Sequence, residues 1–293
     1  MNDRDKEAPR VFAGLSGASL PCSMDLGHGV TARPIYAHLF AANMMAFQRA
    51  EAGKPHPAPW KAARGGFAYD IEIELSVPAN ISLAGATSAM EVVRLVASLL
   101  RMAHYPYLMV PVTSDHPFDA AGAEQTPTLI PFETEPRIFA APNETTEISE
   151  ADLQWLKVAW PLVAELVRQA PQLDTALRAC DACTVRGRAA SALLTAWGAL
   201  EELFAPARAE LRFRVSAHIA AYLELPGPKR LERFKQVAQL YNARSRIAHS
   251  AQDADSRELV ETFIVLRNSL MKMIDERAVP SQTDLERKLF CGD

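Results

Sequence analysis

The sequence predicts a two-part chain, an α+β N-terminal domain followed by an all-α helical bundle. Three observations carry that expectation. Residues 67–77 alternate strictly, with Phe67, Tyr69, Ile71, Ile73, Leu75 and Val77 on one side and Ala68, Asp70, Glu72, Glu74 and Ser76 on the other, as in a strand with one wet face. From Ser149 onward, apolar residues recur at i, i+3 and i+4 through several long stretches, the period of helices. Between these regimes Pro142 precedes a polar run, which places a boundary near residues 141–146. The expected organisation is a partly disordered N-terminal segment (1–30), a small α/β or α+β domain (31–145) and the bundle (146–293).

At 293 residues, with 49% hydrophobic and 23% charged side chains, the chain is long enough for two domains with real cores. No window reaches 18 consecutive apolar residues, and the charged first ten residues lack the apolar stretch of a secretory signal. The expectation is therefore a cytoplasmic protein with no membrane partner, in which Cys22, Cys180, Cys183 and Cys291 are reduced. A net charge of -4 argues against a surface that clings everywhere to nucleic acid. The charge is uneven, however. Residues 184–249 carry 11 Lys+Arg against 5 Asp+Glu, whereas residues 1–183 carry 14 against 21. A phosphate backbone approaching that one segment would explain the excess, and so would a solvated basic helix face.

In chain order, Tyr36 to Phe47 reads as a short helix, and Gly53 to Gly66 gathers Pro55, Pro57 and Pro59 into a loop. The acidic row Asp70, Glu72, Glu74 could hold a metal, though such a row is far more often simply solvated. Ser88 to Met102 follows as a helix, with short strands at Tyr107 to Val112 and Thr128 to Phe132. No Gly-rich phosphate loop, nucleophile elbow or His-Glu metal motif occurs. His104 and His116 sit beside prolines and read as turn or core residues.

In the second half Ser149 can cap a helix, with Asp152 reaching back and Ile148 stapling to Leu153; Trp155, Ala159 and Val163 continue its face, and Pro161 should kink it. Cys180 and Cys183 have the spacing of a redox pair or half a zinc site, but nothing completes either. Arg188 to Phe204 carries a stripe of Leu193, Leu194, Trp197, Leu200 and Phe204 that contains Glu201. A carboxylate on such a face needs a partner, for which Arg244, Arg214 and Arg212 are the candidates; Glu201 then either bridges two helices or takes part in chemistry. His218 lies on an apolar face and reads as a core histidine. About five helices are expected in all, the last capped by Asp255 or Ser256.

The stretch around which this half is arranged is Leu240-Tyr241-Asn242-Ala243-Arg244-Ser245-Arg246-Ile247-Ala248-His249-Ser250. On a helical wheel Leu231, Phe234, Ala238, Tyr241, Ser245 and Ala248 share one face. Arg244 and His249 then border it on either side, about 140° and about one and a half turns apart. They would overlook one groove without touching, and two copies related by a dyad could interleave them.

This segment resembles the arginine-x4-histidine signature of the HEPN superfamily, specifically its Apea-like branch, whose members tend to read L-Y-x-x-R-S-x-x-x-H-G. Ser250 stands where glycine is usual. The context resembles the family in order too: Ala199-Leu200-Glu201-Glu202-Leu203-Phe204, then Arg212-Phe213-Arg214-Val215-Ser216, then the signature, then a closing Asp284-Leu285-Glu286-Arg287-Lys288-Leu289-Phe290. The likeness spans about residues 150–293 and leaves the first half untouched.

The resemblance implies a HEPN-like bundle and metal-independent RNA cleavage in a cleft between two protomers, in toxin, abortive-infection or other anti-phage defence roles. An antitoxin or a phage-derived trigger would be a further partner, and no cofactor is implied. Arg244 and His249 are the expected catalytic pair, with Glu201 beside them; Arg246, Arg214 and Arg212 are the expected RNA contacts. The chemistry is reasonable for these residue types. A 2'-hydroxyl is an internal nucleophile, an imidazole exchanges protons near neutral pH, and a guanidinium binds phosphate bidentately. An R-x4-H pair can also merely end a helix, where the dipole favours a cation. A HEPN-like module can likewise bind RNA or dimerise without cutting.

Overall fold

The computed structural model describes residues 9–83, 88–119, 127–140, 142–143, 145–205, 210–249 and 254–292. An antiparallel sheet occupies the N-terminal half and helices the C-terminal half. The strands are β1 (Arg10–Ser16), β2 (Ala18–Ser19), β3 (Met24–Gly27), β4 (Val30–Ala46), β5 (Trp60–Pro78), β6 (Met109–Ser114), β7 (Leu129–Pro131) and β8 (Thr146–Glu147), with helix α1 (Ala89–Ala103) between β5 and β6. Six of them form one sheet in the order β3-β4-β5-β1-β6-β7, and β2 pairs with β8 in parallel.

Three sequence expectations are corrected here. Residues 10–27, expected to be partly disordered, supply β1, β2 and β3; β1 lies inside the sheet, flanked by β5 and β6, with Ala13 and Leu15 fully buried. Residues 1–8 lie outside the described residues. Tyr36 to Phe47, read as a helix, belongs mostly to β4, and the loop expected at 53–66 gives way to β5 from Trp60 on. Ala, Leu and Met in this stretch favour a helix locally, but β5 offers a ladder from Thr31↔Ser76 to Ala46↔Trp60, and that long-range pairing overrides the local preference.

The alternation at 67–77 is observed in part: Ile73, Leu75 and Val77 are buried in one core with Val92, Val93, Val96 and Leu99 of α1, and Ile71 is buried outside that cluster. Ser88 caps α1 by accepting from the Glu91 amide. The wet face dries toward its root. Glu74 is only 2% exposed; Arg33 Nε donates to its Oε1 at 2.7 Å and the Phe118 amide to its Oε2 at 2.8 Å. Arg33 also donates to Asp119, and these two carboxylates push its guanidinium pKa up.

The C-terminal half holds α2 (Glu150–Gln169), α3 (Gln172–Ala182), α4 (Ala189–Phe204), α5 (Leu211–Leu223), α6 (Pro228–His249), α7 (Ser256–Glu276) and α8 (Gln282–Phe290). That is two more than about five. The additions, α3 and α8, are short, and α3 has no side-chain cap to announce it. Ser149 caps α2 as expected, but the reciprocal contact is relayed: the Ser149 amide donates to Tyr105 Oη, which donates to Asp152. Helix α2 continues through Pro161. No helix among the described residues is long and apolar enough to cross a membrane.

The expected boundary near 141–146 does not separate two cores. Trp160, fully buried in α2, donates its indole N–H to Leu26 O at 2.9 Å. Arg101 of α1, 2% exposed, donates to Leu108 O, to Asp181 of α3 at 2.7 Å and to Glu133 at 2.6 Å, and Arg137 completes the network through Glu133 and Thr184. Arg267 of α7 donates to Met102 O and Ala103 O at the end of α1. A guanidinium with its donors met on both sides of the boundary makes the halves one packed body, because separating them would strand buried charge.

Candidate functional site

The signature residues sit at the end of α6, where it crosses α4 and α7. The buried side of α6 comprises Val237, Ala238, Leu240, Tyr241, Ala243 and Ile247, whereas Leu231 and Ala248 are exposed. The helix is therefore rotated from the expected wheel, toward Leu240, Ala243 and Ile247. One consequence bears on the chemistry. Arg244 falls within the buried arc instead of at its border, and His249, about 140° away, lies on the solvent side and is exposed. Within one chain Arg244 thus turns toward α4 and His249 toward solvent.

Arg244 turns toward α4, where its Nε is 3.1 Å from Glu201 Oε1 and its Nη2 donates to Oε2 at 3.4 Å. The Nε and Oε1 atoms are close but misaligned, and each is buried without a hydrogen bond, so the pair is held more by charge than by geometry. Tyr241, one turn earlier, has its ring 5.7 Å from the Arg244 guanidinium and edge-on to Trp197 of α4 at 5.2 Å. Burial, and then the charge of Glu201, pushes the Tyr241 hydroxyl pKa up, so it stays a protonated donor. Glu201 on an apolar stripe thus has the arginine partner its position demanded, and the partner is Arg244.

Arg246 leaves α6 on another side. Its Nη2 donates to both carboxylate oxygens of Glu258 in α7, at 2.8 and 2.7 Å. Arg246, the expected phosphate contact, is thus paired with Glu258 and still half exposed. Glu258 has no local signal in the sequence; it joins the site only because α7 packs beside α6. Arg214 of α5 lies 3.9 Å from Glu286 of α8, a long pair that leaves it half-committed. Arg212 is exposed and has no ion pair among the described residues; it lines an open groove of about 710 Å³ with Phe213, Phe234 and Ala238. Ala238 precedes His249 by eleven residues, about 16 Å along α6. The structure therefore brings Glu201 and Arg244 together, and sets the groove that Arg212 lines apart from His249.

The remaining candidates resolve simply. His218 is buried, its Nδ1 2.6 Å from Phe204 O, a core histidine as expected. Of the acidic row, Asp70 lies against His38 and Tyr36, Glu72 accepts from Thr145, and Glu74 is paired with Arg33. Cys180 and Cys183 are free thiols in the core; burial raises both, Cys183 to about 12. Among the described residues no group of three or more His, Cys, Asp or Glu side chains is placed to hold a metal ion. Compared with family models, with curated proteins and with solved structures, the chain gives no match.

Proposed function

We propose that the helical half is a metal-independent endoribonuclease module of the HEPN type, acting as a homodimer. The observation that carries the reading is the contrast along α6: an arginine oriented by a carboxylate and still 27% exposed at its side chain, then an exposed imidazole at the helix end. Because the two diverge within one chain, the cleft must be composite, with His249 of one protomer facing Arg244 of the other across a dyad.

In that cleft His249 takes the proton of a 2'-hydroxyl as O2' bonds to phosphorus, and its imidazolium returns that proton to O5' as the P–O5' bond breaks, leaving a 2',3'-cyclic phosphate and a 5'-hydroxyl. Arg244 neutralises the phosphoryl oxygens as charge builds on them. Glu201 is a positioning residue, holding the guanidinium rather than touching RNA. The basic segment 184–249 supports approach of a polyanion. Toxin or anti-phage activity, with an antitoxin or phage trigger, rests on the resemblance alone.

A second reading is a HEPN-like module that binds RNA or dimerises without cutting. The hold of Glu258 on Arg246 and the turn of Arg244 toward Glu201 favour it, since each guanidinium already faces a carboxylate. Incubating RNA with wild type, Arg244→Ala and His249→Ala separates the two. Cyclic-phosphate ends from wild type alone support cleavage; identical products from all three end the enzyme reading.

A further inference from the structure

Strands β4 and β5 outgrow the sheet. β3 pairs with β4 through residues 30–32, and β1 pairs with β5 from Ile73 to Pro78. From Ala37↔Ile71 outward to Ala46↔Trp60 the two strands pair only with each other among the described residues. At about 3.4 Å per residue this ribbon reaches about 30 Å. A bare two-stranded hairpin is marginal in water. This one carries Tyr36, Phe40, Met44, Met45, Phe47 and Trp60, all more than half exposed, and so many large exposed apolar side chains on one ribbon mark a surface that something covers.

The details select an occupant. Tyr36, His38 and Phe40 take alternate exposed positions on β4, which presents rings at steps of about 7 Å along one face. The His38 and Phe40 rings lie 6.0 Å apart and tilted by 35°. Asp70, on the opposing strand, accepts from Tyr36 Oη at 3.2 Å and lies 2.8 Å from His38 Nδ1, so both rings are held in place before anything binds. Trp60 is fixed likewise, its indole N–H shared between His56 O and Pro57 O at 3.0 Å each.

Charge points the same way. Residues 35–71 contain Arg49, Lys54, Lys61 and Arg64 against Glu51 and Asp70, a net of +2 on a chain of -4. Glu51 is held by Lys54, and Asp70 by the two rings. The ribbon end, residues 48–58, is polar and includes Arg49, Glu51, Lys54 and His56, which does not suit insertion into a bilayer. Preset aromatic faces along an extended strand, with cations at the ribbon end, form a stacking platform for an unpaired polynucleotide.

We propose that the β4–β5 ribbon grips single-stranded RNA, with bases stacked on Tyr36, His38 and Phe40 and the phosphate chain met by Arg49 at the ribbon end. The choice of RNA over DNA rests on the ribonuclease reading of α6; the platform does not. The test titrates full-length protein into a fluorescein-labelled 2'-O-methyl oligouridylate, whose blocked 2'-oxygen prevents cleavage, so that binding is read by anisotropy apart from catalysis. Tyr36→Ala with Phe40→Ala weakens binding by about tenfold or more, in keeping with the loss of base stacking, whereas Tyr36→Phe with Phe40→Tyr restores it. Leu225→Ala, at an exposed site in the helical half, binds like wild type. All these side chains are exposed, and circular dichroism checks that each variant folds. Wild type that does not bind the probe, or unchanged affinity in the double alanine variant, overturns the proposal. So does a dimer that dissociates in sedimentation on the double substitution while probe affinity holds, since the ribbon would then cover a second copy. Failure of the cleavage assay on unmodified RNA leaves this result standing, so the two readings fail separately.

Discussion

Glu201 on α4 and Arg244 on α6 lie side by side, Oε1 to Nε 3.1 Å, yet only the longer Nη2–Oε2 contact is aligned as a hydrogen bond. The pair orients Arg244 without saturating it. Glu201→Gln keeps the shape and removes the charge, and is expected to destabilise by about 1–3 kcal/mol by leaving a partly buried guanidinium uncompensated. In urea unfolding, Glu201→Ala combined with Arg244→Ala should cost less than the two singly. Strict additivity would show that the two side chains do not interact.

His249 is exposed at the end of α6 and makes no core contact that its removal would break. His249→Ala is expected to leave the unfolding midpoint within about 0.5 kcal/mol of wild type while RNA cleavage falls by about 10²-fold or more. A loss of cleavage that merely tracks a loss of fold would remove the imidazole from the mechanism.

Arg246 and Arg212 should respond oppositely to salt titration of RNA binding. Arg246 is already neutralised by Glu258, so Arg246→Ala leaves the slope of log affinity against log salt nearly unchanged. Arg212, exposed and without an ion pair among the described residues, flattens the slope by about one on replacement by alanine if phosphate reaches the α5–α6 groove. The reverse pattern would mean that Glu258 releases Arg246 when RNA binds.

Arg101 ties Glu133 and Asp181 into one buried network that joins the sheet to the helices. Arg101→Met leaves Arg137 to hold both Glu133 and Asp181, at 2.8 and 3.4 Å, and is expected to cost about 3 kcal/mol. In the wild type, circular dichroism of the helices and fluorescence of Trp160 at the β3 contact should report one shared transition. Two separated transitions would instead mean that the halves fold independently.

The four thiols should divide by burial. In native protein at pH 8 an alkylating reagent labels Cys22 and Cys291, which are exposed, and spares Cys180 and Cys183, whose thiols burial keeps protonated. The sign is direct: at a pH well below the raised pKa the reactive thiolate is scarce. Labelling in urea should reach all four, and native labelling of Cys183 would point to local opening of α3.

What the amino-acid order determined by itself is the part governed by local periodicity and caps: the alternating half of β5, α1, α2 with its Ser149 cap, and the helical character of the signature segment. The demand of Glu201 for an arginine was also legible, since a carboxylate on an apolar stripe is costly alone. Tertiary structure decided the rest. β4 became a strand although its residues favour a helix, because pairing with a strand some thirty positions away satisfies its backbone. The rotation of α6 turned Arg244 inward and His249 outward, because the buried arc of a helix is set by which neighbours pack on it. Only packing brought Glu258 to Arg246, since a contact between helices leaves no period in either one.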